Sequence, residues 1–458
     1  MTRHALVGHL GPADQYQPPA EEGVTFTRLD LVGGERRLRY DIGQSLDELR
    51  AMRVRPTEIG VDLMVVAVLV HALDTRVSRV RNAQDGWTRE LRLVVPVSDP
   101  ERWQAAAPVL QRMLRFLTGD HWEATFRPRP SGFASISPAA LPNVEAPEFD
   151  GVSLYSGGLD SLIGALDTLA GRMRPLLVSH RGEGAVSGPQ GVLFQAMSDA
   201  VARIQSTNRT GALSGLRYSL TFDKNLIAGK EDSTRGRSFL FLALGGFAGS
   251  GLQGPFDLRI PENGLIALNV PLDPTRIGSN STRTTHPYYL RRWNELLGLI
   301  GIPGTVTNPY WDRTKGEMVR DCLMPDALRE LIPLSVSCAH PSIKRFAKDN
   351  KNHCGTCVPC IIRRAAIEAA LGAGNDPTRY RCEDLTAQPL SAKGKDGKQV
   401  RGFQYALDRL AREPGLSRIA VHKPGPLRED VANLDGLIGV YERGMMEVER
   451  LLHGVRTT

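Results

Sequence analysis

Apolar positions in the middle of the chain change their period abruptly. Val152 to Tyr155 form a short apolar run that predicts a buried strand, and apolar residues from Leu162 to Leu169 then recur at helical spacing. Between these two runs stands Ser156-Gly157-Gly158-Leu159-Asp160-Ser161. The pattern therefore predicts a strand, a glycine turn and a helix in succession.

The same alternation of strand and helix continues through residues 149 to about 325. Five strand–helix units predict an α/β domain whose parallel sheet carries helices on both faces, with ligands at the carboxyl ends of the strands. The predicted strands are Gly151–Tyr155, Pro175–His180, Leu216–Phe222, Gly264–Val270 and Thr305–Asn308. The predicted helices are Asp160–Arg172, Gly188–Gln205, Arg237–Gly249, Pro287–Leu299 and Lys315–Met324.

Strands that alternate with helices in residues 1–145 predict a small N-terminal α/β module, in which Thr57 is a candidate N-cap. Prolines between residues 128 and 148, among them Pro142 and Pro147, predict a linker. The module could dock a partner or a second copy, or it could extend the next domain structurally. Its predicted strands are Arg37–Ile42, Arg89–Val97 and His121–Arg127, and its predicted helices are Gly60–Leu73 and Pro100–Leu117.

Residues 376–458 predict a helical C-terminal extension. Ser391–Lys398 is a basic, flexible loop by composition, and Leu434–Leu452 has the apolar stripe of an amphipathic helix. That helix could pack on the core, or it could form a homodimer interface.

Composition narrows the class of protein. The 458 residues carry a formal charge of +7 that is spread along the chain, which suits nucleotide ligands and gives little support to a nucleic-acid partner. Met1–Asp14 lacks the apolar core of a signal peptide, and the apolar run Leu63–Leu73 is too short to span a bilayer. We expect a cytoplasmic protein without membrane contact.

The glycine turn has the chemistry of a phosphate site. Glycines let the backbone approach a ligand, and free N–H groups at the helix start join the hydroxyls of Ser156 and Ser161. Asp160 in the first helical turn could hold Mg²⁺. The alternative is a plain turn that joins any strand to any helix.

Residues 326–375 contain four of the six cysteines, and this concentration predicts a metal site. Cys354, Cys357 and Cys360 are spaced for a tight turn around a metal ion, and Cys338 can supply the fourth ligand of a structural Zn²⁺. His340 and His353 are alternative ligands. A redox dithiol or an iron–sulfur cluster is the competing interpretation.

The glycine turn resembles the pyrophosphate loop (PP-loop) of ATP pyrophosphatases, enzymes with an adenine nucleotide alpha hydrolase-like (HUP) fold. Together with the cysteine cluster it resembles the 7-cyano-7-deazaguanine synthase family (QueC), over residues 150 to about 372. The matching segments are Ser156–Ser161, Gly236-Arg237-Ser238, Thr314-Lys315-Gly316-Glu317-Met318, Ser337-Cys338, and Cys354 to Arg364.

The resemblance implies that ATP activates the carboxylate of 7-carboxy-7-deazaguanine, with release of pyrophosphate, before an amine attacks. Ser156, Gly157, Gly158, Leu159, Asp160 and Ser161 would then bind ATP. Arg237 and Lys315 would neutralise charge on the phosphates or on the carboxylate, although each could instead form a surface ion pair.

Three departures from that family resemble the QueC-like proteins of bacterial anti-phage operons, of the Qat and type IV CBASS kinds. They are the long interval between Cys338 and Cys354, the changed segments Glu262–Gly264 and Ser281–Pro287, and the terminal extensions. That resemblance implies an antiviral ligase that joins the deazaguanine to the amino terminus of a partner protein.

Four residues are candidates for substrate binding: Glu262, Asn269, Arg283 and His286. His286 could also act as the base that deprotonates the attacking amine. The competing interpretation is that His286 caps the following helix.

Three other functions remain open at this point. They are synthesis of the free nitrile for queuosine, tRNA modification by a related PP-loop enzyme, and a non-catalytic nucleotide-binding scaffold. Thiolation of tRNA would need a catalytic cysteine, for which Cys322 in a predicted helix is the candidate.

Overall fold

Two parallel sheets form the framework. The computed structural model describes residues 3–34, 37–83, 86–138, 148–182, 184–204, 213–223, 226–227, 231, 235–274, 283–340 and 351–458. The strand order is β2-β1-β3-β4 in the first sheet and β7-β6-β5-β8-β9 in the second. The strands are β1 (Arg3–His9), β2 (Val24–Asp30), β3 (Glu90–Val97), β4 (His121–Pro128), β5 (Gly151–Leu154), β6 (Pro175–Arg181), β7 (Gly215–Ser219), β8 (Phe256–Arg259) and β9 (Gly304–Thr307).

Helices connect and cover the strands in both sheets. They are α1 (Ile42–Ala51), α2 (Glu58–Arg76), α3 (Arg79–Asn82), α4 (Pro100–Thr118), α5 (Leu159–Ala170), α6 (Gly184–Ile204), α7 (Arg237–Gly249), α8 (Gly264–Leu268), α9 (Pro287–Ile300), α10 (Lys315–Arg320), α11 (Pro325–Leu331), α12 (Val358–Leu371), α13 (Lys398–Arg412), α14 (Leu416–Ala420) and α15 (Leu434–Leu452). The α/β class with parallel strands is therefore confirmed.

The first sheet corrects one strand prediction. Arg37–Ile42 is wrong as a strand: Leu38 makes only an isolated bridge to Val32, and Tyr40 and Asp41 have φ values of 56° and 63°. Left-handed residues end an extended run. The sequence reading also missed β1 and β2, whereas Thr57 caps α2 as predicted.

The second sheet corrects two further boundaries. Gly264–Val270 is not a strand, because Asn263 caps a short helix there by accepting a hydrogen bond from the N–H of Ile266. The strand at this place in the sheet is β8, which precedes it. The predicted helix Lys315–Met324 ends at Arg320, so Cys322 lies after it.

Helix α2 joins the two sheets into one core. Its residues from Gly60 to Asp74 are all buried, since the helix packs against β1 and β3 on one side and against α7 on another. A helix that is apolar all round needs such burial. A single apolar cluster consequently contains residues of both sheets.

The C-terminal helix α15 has the bounds that its periodicity predicts. Its apolar stripe packs against α12, α13 and α8 within a second apolar cluster, which favours the core-packing interpretation. Within the described ranges, no helix combines the length and the apolar character that crossing a membrane requires. Pro142, Pro147, Gln205 and the segment Ser281–Thr282 lie outside the described residues.

Candidate active site

The candidate site lies where the strand order reverses. The central strand β5 has β6 on one side and β8 on the other, and all neighbours are parallel. Ligands bind at such a switch point, beyond the carboxyl ends of the strands. The glycine turn follows β5, and His180 lies at the carboxyl end of β6. Glu262–Asn263 and Thr314–Lys315 follow β8 and β9, respectively.

The glycine turn leads directly into α5. Gly157 has a φ of 81°, and a Cβ there would lie 3.1 Å from the backbone of Gln190. The Oγ atoms of Ser156 and Ser161 lie 3.1 Å apart, and Ser156 Oγ accepts a hydrogen bond from the N–H of Gly158. Two hydroxyls therefore converge at the amino-terminal end of a helix, an arrangement that suits an anion.

Asp160 lies at the centre of a polar network. Its Oδ1 is 3.1 Å from the Lys315 ammonium, and its Oδ2 accepts a hydrogen bond from Asn263 Nδ2 at 2.7 Å. Lys315 is buried, and both charges are held away from bulk water. Such a pair needs good geometry to offset the cost of desolvation.

Lys315 is positioned by the first turn of α10 and by the C-terminal helix. Thr314 and Glu317 form a capping box. The hydroxyl of Thr314 donates to Glu447 of α15, and Arg443 of α15 binds Glu317 at 2.6 Å. The C-terminal extension thereby fixes the segment that presents Lys315.

Glu262 has a strongly raised pKa at this edge of the sheet. Burial raises its pKa from 4.5 to about 7, and the nearby negative charge of Asp160 raises it further, while a hydrogen bond from Thr285 opposes the rise. A carboxyl with a pKa near neutrality can give or take a proton at physiological pH.

Arg237 lies on the other side of the central strand. Its guanidinium is close to the backbone of Gly182, where a Cβ would be 2.7 Å from Nη2, and it lies over the ring of Phe241. The preceding Gly236 donates its N–H to buried Asp74 of the N-terminal module at 2.7 Å. Asp74 in turn bonds Arg89, so a buried charge network fixes the start of α7.

Arg283 and His286 face the N-terminal module. Arg283 Nη1 donates to the carbonyl of Phe116 at 2.8 Å, and His286 is fully buried against the same phenylalanine. His286 Nδ1 accepts from the N–H of Tyr288, which makes it the N-cap of α9. Burial lowers the pKa of His286 to about 3. This geometry favours the capping interpretation, and a role as base stays a prediction.

Asn269 lines a cleft whose lining includes none of Asp160, Lys315 and Asn263. It ends α8 in the left-handed conformation, with a φ of 50°, and lines this apolar cleft with Val358 of α12 and Phe403 of α13. Cys322 is buried and its pKa rises to about 12, mainly through burial, which argues against a nucleophilic thiolate.

The four predicted cysteine ligands converge. The Sγ atoms of Cys338, Cys354, Cys357 and Cys360 lie within 4.8 Å of one another, with two pairs at 3.9 Å. Four thiolates around Zn²⁺ have Sγ–Sγ edges of about 3.8 Å at a Zn–S distance of about 2.3 Å. Backbone N–H groups of Cys354 and Cys357 point at sulfur atoms, as they do around thiolates. The cluster could therefore hold a metal such as zinc.

Neither histidine replaces a cysteine in this cluster. His353 Nε2 instead accepts the N–H of Ser337, which is the residue before Cys338. Ser337 Oγ accepts the N–H of Leu159 in the glycine turn at 3.3 Å, and Val336 donates its N–H to the carbonyl of Gly157. The cysteine cluster and the glycine turn thus share one short segment.

The sequence analysis assigned no role in the site to Asn263, Ser337 or Gln190. Asn263 binds Asp160, Ser337 binds the glycine turn, and Gln190 Nε2 donates to the carbonyl of Tyr155 from beneath the turn. Asn263 and Ser337 stand in segments that the sequence analysis quotes, Glu262–Gly264 and Ser337-Cys338, and this position was the signal that could have identified them. Gln190 belongs to the next helix, and no local pattern marks it.

The site and the sheets define an α/β protein with a candidate phosphate loop and a cysteine cluster. Two curated relatives match part of the chain, one from Cupriavidus taiwanensis and one from Cupriavidus necator, and both are named 7-cyano-7-deazaguanine synthase. Each is 38% identical over 101 residues, which are 21% of this chain and 40% of the relative. The match makes this part of the chain similar to those synthases and supports the QueC-like resemblance there.

The match spans well under half of the length of those relatives. No protein-family model matches the chain. No solved structure matches it either, so the HUP assignment stays a prediction.

Proposed function

We propose that this chain uses ATP to activate the carboxylate of 7-carboxy-7-deazaguanine and transfers the acyl group to an amine. The observation that supports it most is the meeting of Lys315, Asp160 and the glycine turn at the switch point of the sheet. The partial likeness to 7-cyano-7-deazaguanine synthases supplies the substrate class.

In the first step, a carboxylate oxygen of the acid attacks the α-phosphorus of ATP. The bond from that phosphorus to the bridging oxygen breaks, and pyrophosphate leaves with the electron pair. The glycine turn and Lys315 would stabilise the negative charge that develops on the phosphates. The product is an acyl adenylate.

Asp160 is the residue that would hold Mg²⁺. Its carboxylate lies in the first turn of α5, beside the glycine turn, and carboxylate oxygens suit this ion. The ion would neutralise phosphate charge. The four cysteines would hold Zn²⁺ in a structural role, since all four ligands come from the protein.

In the second step, a neutral amine attacks the acyl carbon and AMP leaves. The amine must lose a proton, and Glu262 with its pKa near 7 is a suitable acceptor. His286, the base that the sequence favoured, is buried against Phe116 and serves as an N-cap.

We propose the amino terminus of a partner protein as the amine, in an anti-phage setting. Two observations support this proposal. The sequence resembles defence-associated proteins, and both terminal extensions contact segments of the candidate site. Asp74 and Glu447, one from each extension, both bind segments of the candidate site.

Release of free 7-cyano-7-deazaguanine is the second candidate, because the curated relatives carry that name. Ammonia would give the amide first. The amide must then lose its oxygen to become a nitrile, so this route needs a second activation by ATP.

The test is ATP–pyrophosphate exchange by the full-length chain with 7-carboxy-7-deazaguanine. Exchange that depends on the acid, and a hydroxamate formed with hydroxylamine, would support activation. Absence of both would overturn the proposal.

The acceptor is tested with ammonium chloride, a short peptide with a free amino terminus, and the same peptide N-acetylated. An adduct on the free peptide alone supports protein ligation. A nitrile formed from ammonium, with no peptide adduct, supports the second candidate and overturns the first acceptor.

A further inference from the structure

Two histidines, the buried His71 and the half-buried His180, lie beside Arg237 and outside the network of Asp160. His71 belongs to α2 of the N-terminal module, and His180 lies near the carboxyl end of β6. Their rings are 6.3 Å apart at an angle of 67°. The rings of Phe222, Tyr218 and Phe241 surround the pair at centroid distances of 5.5–6.2 Å from one or the other histidine.

Ring nitrogens of both histidines lack a partner among the described residues. They are Nδ1 of His71 and both nitrogens of His180. A buried polar atom without a hydrogen bond costs about 1–3 kcal/mol, so native structures seldom keep three together without a water molecule or a ligand. His71 is only 8% exposed.

The position in the sheet relates this pair to the glycine turn. Leu154 of β5 pairs with Val178 of β6, and His180 stands two residues further along. Neighbouring strands are about 4.8 Å apart, which places the backbone of His180 within roughly 5–10 Å of Ser156. A ligand whose anionic end lies at the turn can therefore extend over β6 toward the histidines.

We propose that His71, His180 and Arg237 bind the planar nitrogen heterocycle of a ligand whose anionic end lies at the glycine turn. The heterocycle is the adenine of ATP or the deazaguanine of the acid, and this choice of ligands rests on the proposed function. The N-terminal module thereby contributes a residue to the site.

The chemistry of the three side chains fits such a ring. A neutral imidazole offers one donor and one acceptor, which is the pattern of a purine edge, and a guanidinium donates to ring nitrogens or carbonyls. Burial, with the nearby charge of Arg237, lowers the pKa of His71 to about 4 and that of His180 to about 3, so both stay neutral. The surrounding aromatic rings supply faces for stacking.

Asp74 fixes the position of Arg237 relative to His71. Both Asp74 and His71 lie on α2, and Asp74 accepts the N–H of Gly236, the residue before Arg237. The wall of the site is consequently one rigid unit made from α2 and the start of α7.

The test uses His71→Phe and His180→Phe in the full-length chain, with His121→Phe on an exposed position of the same module as the control. Binding of ATP, 7-carboxy-7-deazaguanine and inorganic tripolyphosphate is measured by titration calorimetry. We expect at least tenfold weaker binding of one ring-bearing probe in both His71→Phe and His180→Phe, with tripolyphosphate binding unchanged. Loss for ATP alone identifies adenine, and loss for the acid alone identifies deazaguanine.

His71→Asn and His180→Asn keep a donor and an acceptor and guard against misfolding of the phenylalanine variants. They should retain part of the affinity that the phenylalanine variants lose. Unchanged binding of both ring-bearing probes in the phenylalanine variants means that the histidines contact no ligand, and it overturns this inference alone. A wild-type chain that binds neither ring-bearing probe overturns both this inference and the proposed function.

Discussion

Ser337 Oγ accepts a hydrogen bond from the backbone N–H of Leu159 at 3.3 Å. The two residues are far apart in sequence. Ser337 precedes Cys338 of the cysteine cluster, and Leu159 lies in the candidate phosphate loop. Buried Arg363 of α12 donates to Ser337 as well, at 3.4 Å. The segment that carries Cys338 therefore contacts the loop through Ser337.

Removing this hydroxyl should weaken ATP binding without loss of metal. Ser337→Ala loses the bond to Leu159, and one hydrogen bond contributes about 1 kcal/mol, so we expect a roughly fivefold higher Kd for ATP. Ser335→Ala is the matched control, because the Ser335 hydroxyl also accepts from Arg363 but donates to the carbonyl of Ile332 instead of contacting the loop. Equal affinities of Ser337→Ala and wild type would show that the contact does not position the loop.

The pair of Asp160 and Lys315 predicts separate effects on activity and stability. Asp160→Ala should abolish pyrophosphate release while the fold stays intact. It also leaves the buried Lys315 ammonium without its carboxylate, which costs about 3–5 kcal/mol of unfolding free energy. Adding Lys315→Met should restore most of the stability and none of the activity. Retained pyrophosphate release in Asp160→Ala would count against the assigned role.

The raised pKa of Glu262 predicts that the stability of the fold decreases as the pH rises. Its pKa is raised from 4.5 to about 7 in the folded protein, so the folded state holds the proton more tightly than the unfolded state. Stability is therefore lost as pH rises from about 4.5 to 7, by up to about 3 kcal/mol. Urea unfolding of Glu262→Gln should show greater stability than wild type at pH 8 and little difference at pH 4.

Glu317 provides the control for this measurement. Its pKa is lowered in the folded state, where burial is outweighed by the hydrogen bond from Arg443 and other favourable contacts, so its ionised form stabilises the fold above pH 4.5. Glu317→Gln should consequently lower stability at pH 8. The same sign for both variants would show that the assigned pKa directions are wrong.

The cysteine cluster predicts selective loss of metal. Cys357→Ser should reduce bound zinc, measured by atomic emission on the purified chain, and lower the melting temperature by several degrees. Cys382→Ser is the control, because Cys382 lies beside the cluster through a backbone bond to Cys354 but is not one of its four sulfur donors. Full zinc content in Cys357→Ser would refute the assignment.

Local patterns alone determined much of this protein. Helix α7 and helix α15 begin and end where their periodicity predicts, and the four cysteines meet as their spacing requires. These features depend on neighbours in sequence. The curated relatives independently support the QueC-like resemblance for part of the chain.

Tertiary structure decided which residues share a site. Asn263 stands just before a segment that the sequence predicts as a strand, but its side chain caps a helix there and binds Asp160. His286 has the chemistry of a base, yet packing against Phe116 buries it as a cap. His71 lies on helix α2 and His180 on strand β6, and only the packing of α2 against α7 brings them together. Burial and non-local contacts set these roles, and neither is encoded in any short stretch of sequence.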